Sequence, residues 1–183
     1  AACALGDSEA INARENDAMN KYGNVAISVR HWEHCSNKTT MPIYRRCIAD
    51  VAKRLIDKGY KVHFISTCQG VPAYTDDNAE FDKIRCLIPD SHKEHIIKYD
   101  EHLSISRIMA LLQEMDFTIA TRLHMSILSL ISGTPVFPIA YEFKTVELYR
   151  SLGYDHVDEL EKLDINSLYK HVEEFIDWSF LVV

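Results

Sequence analysis

The stretch from Asp116 to Lys144, DFTIATRLHMSILSLISGTPVFPIAYEFK, constrains the fold of this chain more than any other. It opens with a short apolar run, Phe117 to Ala120, and breaks at Thr121. Leu123, Ile127, Leu130 and Ile131 then fall at helical spacing until Gly133 ends the pattern. A second apolar run, Val136 to Ala140, follows at once, so the stretch predicts a βαβ unit with two parallel strands. Pro138 lies inside the second run and cannot donate to a strand ladder, which places that strand at an edge or at a bulge.

The turn between the first strand and the helix carries the candidate chemistry. Thr121 is a good N-cap residue type, which puts Arg122, Leu123 and His124 in the first helical turn, where backbone N–H groups lack partners and the helix dipole is positive. An arginine there is unfavourable unless something negative stands in front of it. Arg122 beside His124 therefore points to an anion, at the strand end where open parallel sheets bind ligands. The bland alternative stays open: Arg122 pairs with a nearby carboxylate, and His124 is a satisfied, partly buried histidine.

The remaining segments repeat the pattern. Val25 to Val29 is a nearly continuous β-branched run ending at Arg30, as expected of a parallel strand buried on both faces. A polar loop with Trp32 follows, and then a helix with Pro42 in its first turn and an apolar stripe of Ile43, Cys47, Val51, Leu55 and Ile56 ending at Lys58–Gly59. Tyr60 to Ile65 reads as the second strand, with Ser-Thr-Cys-Gln69-Gly70 as its turn; Gly70 allows backbone to approach a ligand closely. Asp76–Asp77 reads as a solvated turn or N-cap ahead of a helix from Ala79 to Leu87. Ile96–Ile97 suits a short strand, and Ser104 starts another helix. Beyond the βαβ unit, helices are expected at Phe143 to Leu152, Asp158 to Leu163 and Ile165 to Phe180. The order predicts an α/β fold: a doubly wound, Rossmann-like parallel sheet of about five strands with flanking helices and a helical C-terminal tail. Residues 1–22 read as a lead-in or linker and residues 23–183 as a single domain.

Composition sets bounds on function. The chain has 183 residues, 47% of them apolar, enough for one packed domain and short for two. A formal charge of −7 argues against nucleic acid or an anionic membrane as partner while leaving room for a locally basic cleft. Five cysteines, with no CxxC pair, read as thiols of a cytoplasmic protein. His31-x-x-His34-Cys35 and His92-x-x-His95 lack a third group at a recognisable metal spacing, so no metal site is expected. No apolar run approaches a membrane span, and the start lacks the features of a signal peptide.

The segment TRLHMSILSLISGTPVFPIAYEFK resembles the TRxHxxIxxLxxGxPVxxIxYxxK signature of the polysaccharide pyruvyl transferases. A strand ending in Ser28-x-Arg30 and a strand followed by Thr-Cys-Gln-Gly resemble earlier parts of the same family in the same order. The resemblance covers about residues 25 to 153, and Pro138 departs from the aliphatic residue usual at its position. It implies a GT-B-like enzyme of two Rossmann-like halves, of which this chain would be the C-terminal, donor-binding half, inactive when isolated. It also implies transfer of the pyruvyl group of phosphoenolpyruvate to a sugar hydroxyl pair in cell-surface polysaccharide biosynthesis, with no further cofactor.

A donor carrying a phosphate and a carboxylate needs fixed cations and helix-terminal N–H groups. Arg30, Arg122 and the turn at Thr121 are the expected clamp, and His124 is the expected acid/base or phosphate donor. Lys144, at the lysine of the signature, either stabilises phosphate charge or is an exposed helix-start lysine; Gln69 and Gly70 are expected to line the same cleft. Partners would be a small anionic donor, a saccharide acceptor, and either an N-terminal half or a second copy of the chain. A GT-B half using a nucleotide sugar, or a non-catalytic anion-binding module, would share the fold.

Overall fold

The computed structural model describes residues 23–70, 76–154 and 156–182; the expected lead-in over 1–22 lies outside them. The elements are β1 (Asn24–Ser28), α1 (Thr40–Asp57), β2 (Lys61–Phe64), α2 (Asp77–Arg85), β3 (Ile96–Lys98), α3 (Ile105–Leu112), β4 (Phe117–Ala120), α4 (Leu123–Ile131), β5 (Val136–Ala140), α5 (Phe143–Ser151), β6 (Asp158–Glu159) and α6 (Leu168–Val182). Short 3-10 turns stand at Asp90–His95 and Leu160–Lys162. The strands form one sheet in the order β3-β2-β1-β4-β5-β6, every pair parallel. This is the doubly wound arrangement, with its topological switch between β1 and β4.

The strands divide their side chains by size. Val25, Ile27, Val62, Phe64, Phe117, Ile119, Phe137 and Ile139 point to the face covered by α1, α2 and α6, where Tyr44, Ile48, Leu55, Phe81 and Phe175 complete the larger core. Ala26, Ala120 and Val136 point to the other face, against Ile108, Leu112, Met125 and Tyr149 of α3, α4 and α5. Small residues on that face let α4 lie close to the sheet: buried Ser129 donates to the Met125 carbonyl at 2.9 Å, and its Oγ lies in hydrogen-bond contact with Thr118 Oγ1 at 3.0 Å. Gly133 ends α4 with φ of 77°, a left-handed cap that a Cβ would strain.

Two sequence expectations change. Asp158–Leu163 is a two-residue strand followed by a 3-10 turn rather than a helix, because Asp158 and Glu159 pair with Ile139 and Ala140. Pro138 lies in a strand with neighbours on both sides and needs neither an edge nor a bulge. Thr118 N donates to Pro135 O, so odd-numbered residues of β5 bond to β4, and the Pro138 nitrogen faces β6, whose pairing begins only at Ile139.

Candidate functional site

The carboxyl ends of β1, β4 and β5 meet at the switch point, and the turns that leave them are pinned together. Tyr44 of α1, fully buried, bonds Thr121 Oγ1 at 2.9 Å and accepts from the Arg30 N–H at 3.3 Å. Burial pushes the Tyr44 phenol far up, so it stays a neutral bridge between the two turns. Thr121 also donates its backbone N–H to Ser28 O. Its side chain is thereby used within the core, so Thr121 does not cap α4. Arg122 occupies the N-cap position in extended conformation, and no side chain caps the helix. The N–H groups of the first turn, Leu123 and His124 among them, are left without a side-chain partner at this edge.

Arg122 is 8% exposed and pairs with Asp77, itself 2% exposed. Its Nε lies 2.9 Å from Asp77 Oδ1 and 3.2 Å from Oδ2, and its Nη2 also bonds Oδ1. The pairing with a carboxylate, left open by the sequence, is what the structure has. It does not exhaust the guanidinium, because Nη1 has no partner among the described residues. Asp77 accepts as well from Cys68 N at 3.2 Å, Thr67 N at 3.4 Å and Ser66 Oγ at 3.3 Å, so a single carboxylate ties the turn after β2 to the turn after β4. Burial pushes the Asp77 carboxyl up while Arg122 pulls it back. At Arg122 burial works downward, but the hydrogen bonds and charge of Asp77 carry the guanidinium above its usual value. Arg122 keeps its charge, since arginine does not surrender its proton.

Arg30 stands at the end of β1 and reaches across the sheet to Tyr141 at the end of β5. Its Nη1 donates to Tyr141 Oη at 2.5 Å. Its guanidinium carbon lies 4.1 Å from the Tyr141 ring centroid and 5.1 Å from that of Trp32, and the two rings pack 4.7 Å apart. Burial raises the Tyr141 phenol, and the charges of Arg30 and Arg122 oppose that rise. The loop carrying Trp32 is anchored beneath by fully buried Glu80, which pairs with Arg45 at 2.6 Å and lies 3.3 Å from His31 Nδ1, and farther along by Ser36 N donating to Glu161 at 2.9 Å.

His124 is exposed on the second residue of α4 and lines an open cleft of about 490 Å³ together with His102, Ser66, Thr67, Ser104, Leu103, Ile105, Ile108, Ile127 and Leu128. Neither histidine forms a hydrogen bond among the described residues. Lys144 is exposed at the start of α5. The Gln69 amide donates to Tyr99 O at 3.3 Å, and Gly70 gives its N–H to Asp76 Oδ2 at 3.1 Å. Asp76 caps α2 through Asn78 N, as its residue type suggested. Among the described residues no cluster of three or more His, Cys, Asp or Glu is arranged to hold a metal. No helix there is long and apolar enough to cross a membrane.

Sequence reasoning missed Asp77, Tyr141, Trp32 and His102 as parts of this edge. Tyr141 alone had a signal, because it occupies a fixed position of the signature.

The family model described as polysaccharide pyruvyl transferase matches residues 18–142. The amylovoran biosynthesis protein AmsJ of Erwinia amylovora is 28% identical over 157 residues, which is 84% of this chain and 37% of that protein. Among solved structures, the chain superposes on E. coli ADP-heptose LPS heptosyltransferase II with a TM-score of 0.59 at 9% identity, covering 97% of this chain and 54% of the other. It superposes on the UDP-forming α,α-trehalose-phosphate synthase of Burkholderia vietnamiensis with a TM-score of 0.53 at 13% identity, covering 93% and 40%. At such identities these structures speak for the fold alone. The chain thus spans little more than half, or less, of the length of each.

Proposed function

The chain belongs to the polysaccharide pyruvyl transferase family, and from that premise we propose that it binds phosphoenolpyruvate for transfer of its pyruvyl group to two hydroxyls of a saccharide. The observation that carries this reading is the pair of held guanidinium groups at the switch point, Arg30 on Tyr141 and Arg122 on Asp77, beside the uncapped start of α4. Two fixed guanidinium groups and a helix terminus suit a donor with two anionic groups. The relative in amylovoran biosynthesis supports a polysaccharide context.

In the reaction, the methylene carbon of the donor takes up a proton and the adjacent carbon becomes electrophilic. One sugar hydroxyl adds there, the bond from that carbon to the phosphate oxygen breaks, and the second hydroxyl closes the ketal. Of the two protons lost by the hydroxyls, one balances the proton gained at carbon and the other leaves with phosphate. His124, exposed, lining the cleft and without a hydrogen-bond partner among the described residues, delivers or takes a proton in this reading. The phosphate sits against Arg122 Nη1 and the first turn of α4, and Lys144 adds charge from α5. The acceptor's other wall belongs to a further part of the enzyme, in keeping with this chain's partial coverage of AmsJ and of the heptosyltransferase; the isolated chain is then inactive.

A second reading is favoured by one feature. The 490 Å³ cleft has aliphatic walls and a few hydroxyl and imidazole groups, a lining that also suits a nucleobase, as a nucleotide-sugar donor would require. Incubating the full-length protein with phosphoenolpyruvate labelled in its methylene carbon and with saccharide acceptors separates the two. Pyruvyl transfer predicts label on the saccharide with one phosphate released per label. Consumption of a nucleotide sugar with no movement of label overturns it.

A further inference from the structure

The two arginines offer different edges. A guanidinium presents two parallel N–H groups along its Nε/Nη2 side, the pair that grips a carboxylate bidentately. In Arg122 that side is already filled by Asp77. In Arg30 it is unpaired: Nη1 is committed to Tyr141, whereas Nε is buried with no hydrogen-bond partner, and Nη2 has none among the described residues. A buried donor without a partner is costly and calls for an explanation. Arg30 is also held rigidly. Tyr141 grips it through the hydroxyl and through the ring, and Trp32 closes the stack.

We propose that the Nε/Nη2 edge of Arg30 is the subsite for the donor's carboxylate, with Tyr141 as the positioning residue that presents this edge. The inference rests on the reading of phosphoenolpyruvate as donor and divides its two anionic groups between the arginines: carboxylate to Arg30, phosphate to Arg122 and the start of α4. Tyr141, left without a role by the signature alone, acts through Arg30. Its hydroxyl accepts from Nη1 and so fixes which side of the guanidinium faces the ligand.

The test is calorimetric titration of the full-length protein with phosphoenolpyruvate and with its carboxylate methyl ester, comparing the natural sequence, Arg30→Lys and Tyr141→Phe. Arg30→Lys keeps the charge and removes the fork; Tyr141→Phe keeps the ring and removes the hydroxyl. The natural protein should prefer the free carboxylate by about tenfold or more, the worth of one charged hydrogen-bonded contact. In Arg30→Lys the preference should shrink to within about threefold, and Tyr141→Phe should fall between, both with unchanged melting temperature. Should Arg30→Lys fail to fold, Tyr141→Phe carries the comparison alone. An undiminished preference in the variants overturns this subsite while leaving the donor assignment intact. A loss in Arg30→Lys with none in Tyr141→Phe overturns the positioning role. A natural protein that does not bind phosphoenolpyruvate at all overturns the donor reading and this inference with it.

Discussion

Asp77 and Arg122 are 45 residues apart in sequence and meet as a buried ion pair. Removing one partner of such a pair strands a charge in the interior, a loss of about 3–5 kcal/mol. Asp77→Ala should therefore destabilise the protein by that amount in chemical denaturation, and Asp77→Asn by less, since an amide oxygen still accepts from Cys68 N. An exposed-residue effect, within about 0.5 kcal/mol, would mean the pair does not hold the two turns together. At this scale the sequence was legible in part. That Arg122 requires a negative partner followed from its place at the helix start. Which partner it has did not, because Asp77 sits in a polar segment with no periodicity to betray that it turns inward. Thr121 misled for a related reason: its residue type suits a cap, but Tyr44 is nearer and dry, and no local pattern announces a tyrosine 77 residues away.

At the scale of elements, the β4–α4–β5 unit was legible because its apolar runs and helical spacing gave the order of elements, but the face of α4 was not: Met125, Ser126 and Ser129 are buried, whereas Ile127, Leu130 and Ile131 of the apolar stripe are exposed. Nor was β6 legible, since two polar residues acquire strand pairing only from the neighbour they lie against. The far edge of the sheet carries its own test. His63 of β2 is 7% exposed and bridges β1 and the end of β3, with Nε2 3.0 Å from Asn24 Oδ1 and Nδ1 3.0 Å from Tyr99 Oη; the tautomer protonated on Nε2 satisfies both. Burial, helped by Lys61, depresses its pKa below the ordinary 6.5. The folded state then binds fewer protons than the unfolded one, so this contribution is complete above pH 6.5 and is lost as pH falls through the depressed folded value. Stability should decline from about pH 6.5 downward by up to about 1.4 kcal/mol per pH unit from this group, and the slope should be shallower in His63→Gln. Equal slopes in the two proteins would assign the decline to other groups.

For the whole molecule, the alternation of strands and helices was enough to predict a doubly wound parallel sheet. What the linear pattern does not carry is how strand ends far apart in sequence meet: Arg30 and Tyr141 are 111 residues apart and touch across the end of β4, which lies between β1 and β5. The same convergence makes the central claim measurable without knowledge of the acceptor. The full-length protein should be titrated with phosphoenolpyruvate and, separately, with a nucleotide sugar, each with the other as competitor. The account predicts saturable binding of phosphoenolpyruvate that a nucleotide sugar does not displace. Saturable binding of the nucleotide sugar, undisturbed by phosphoenolpyruvate, would contradict it.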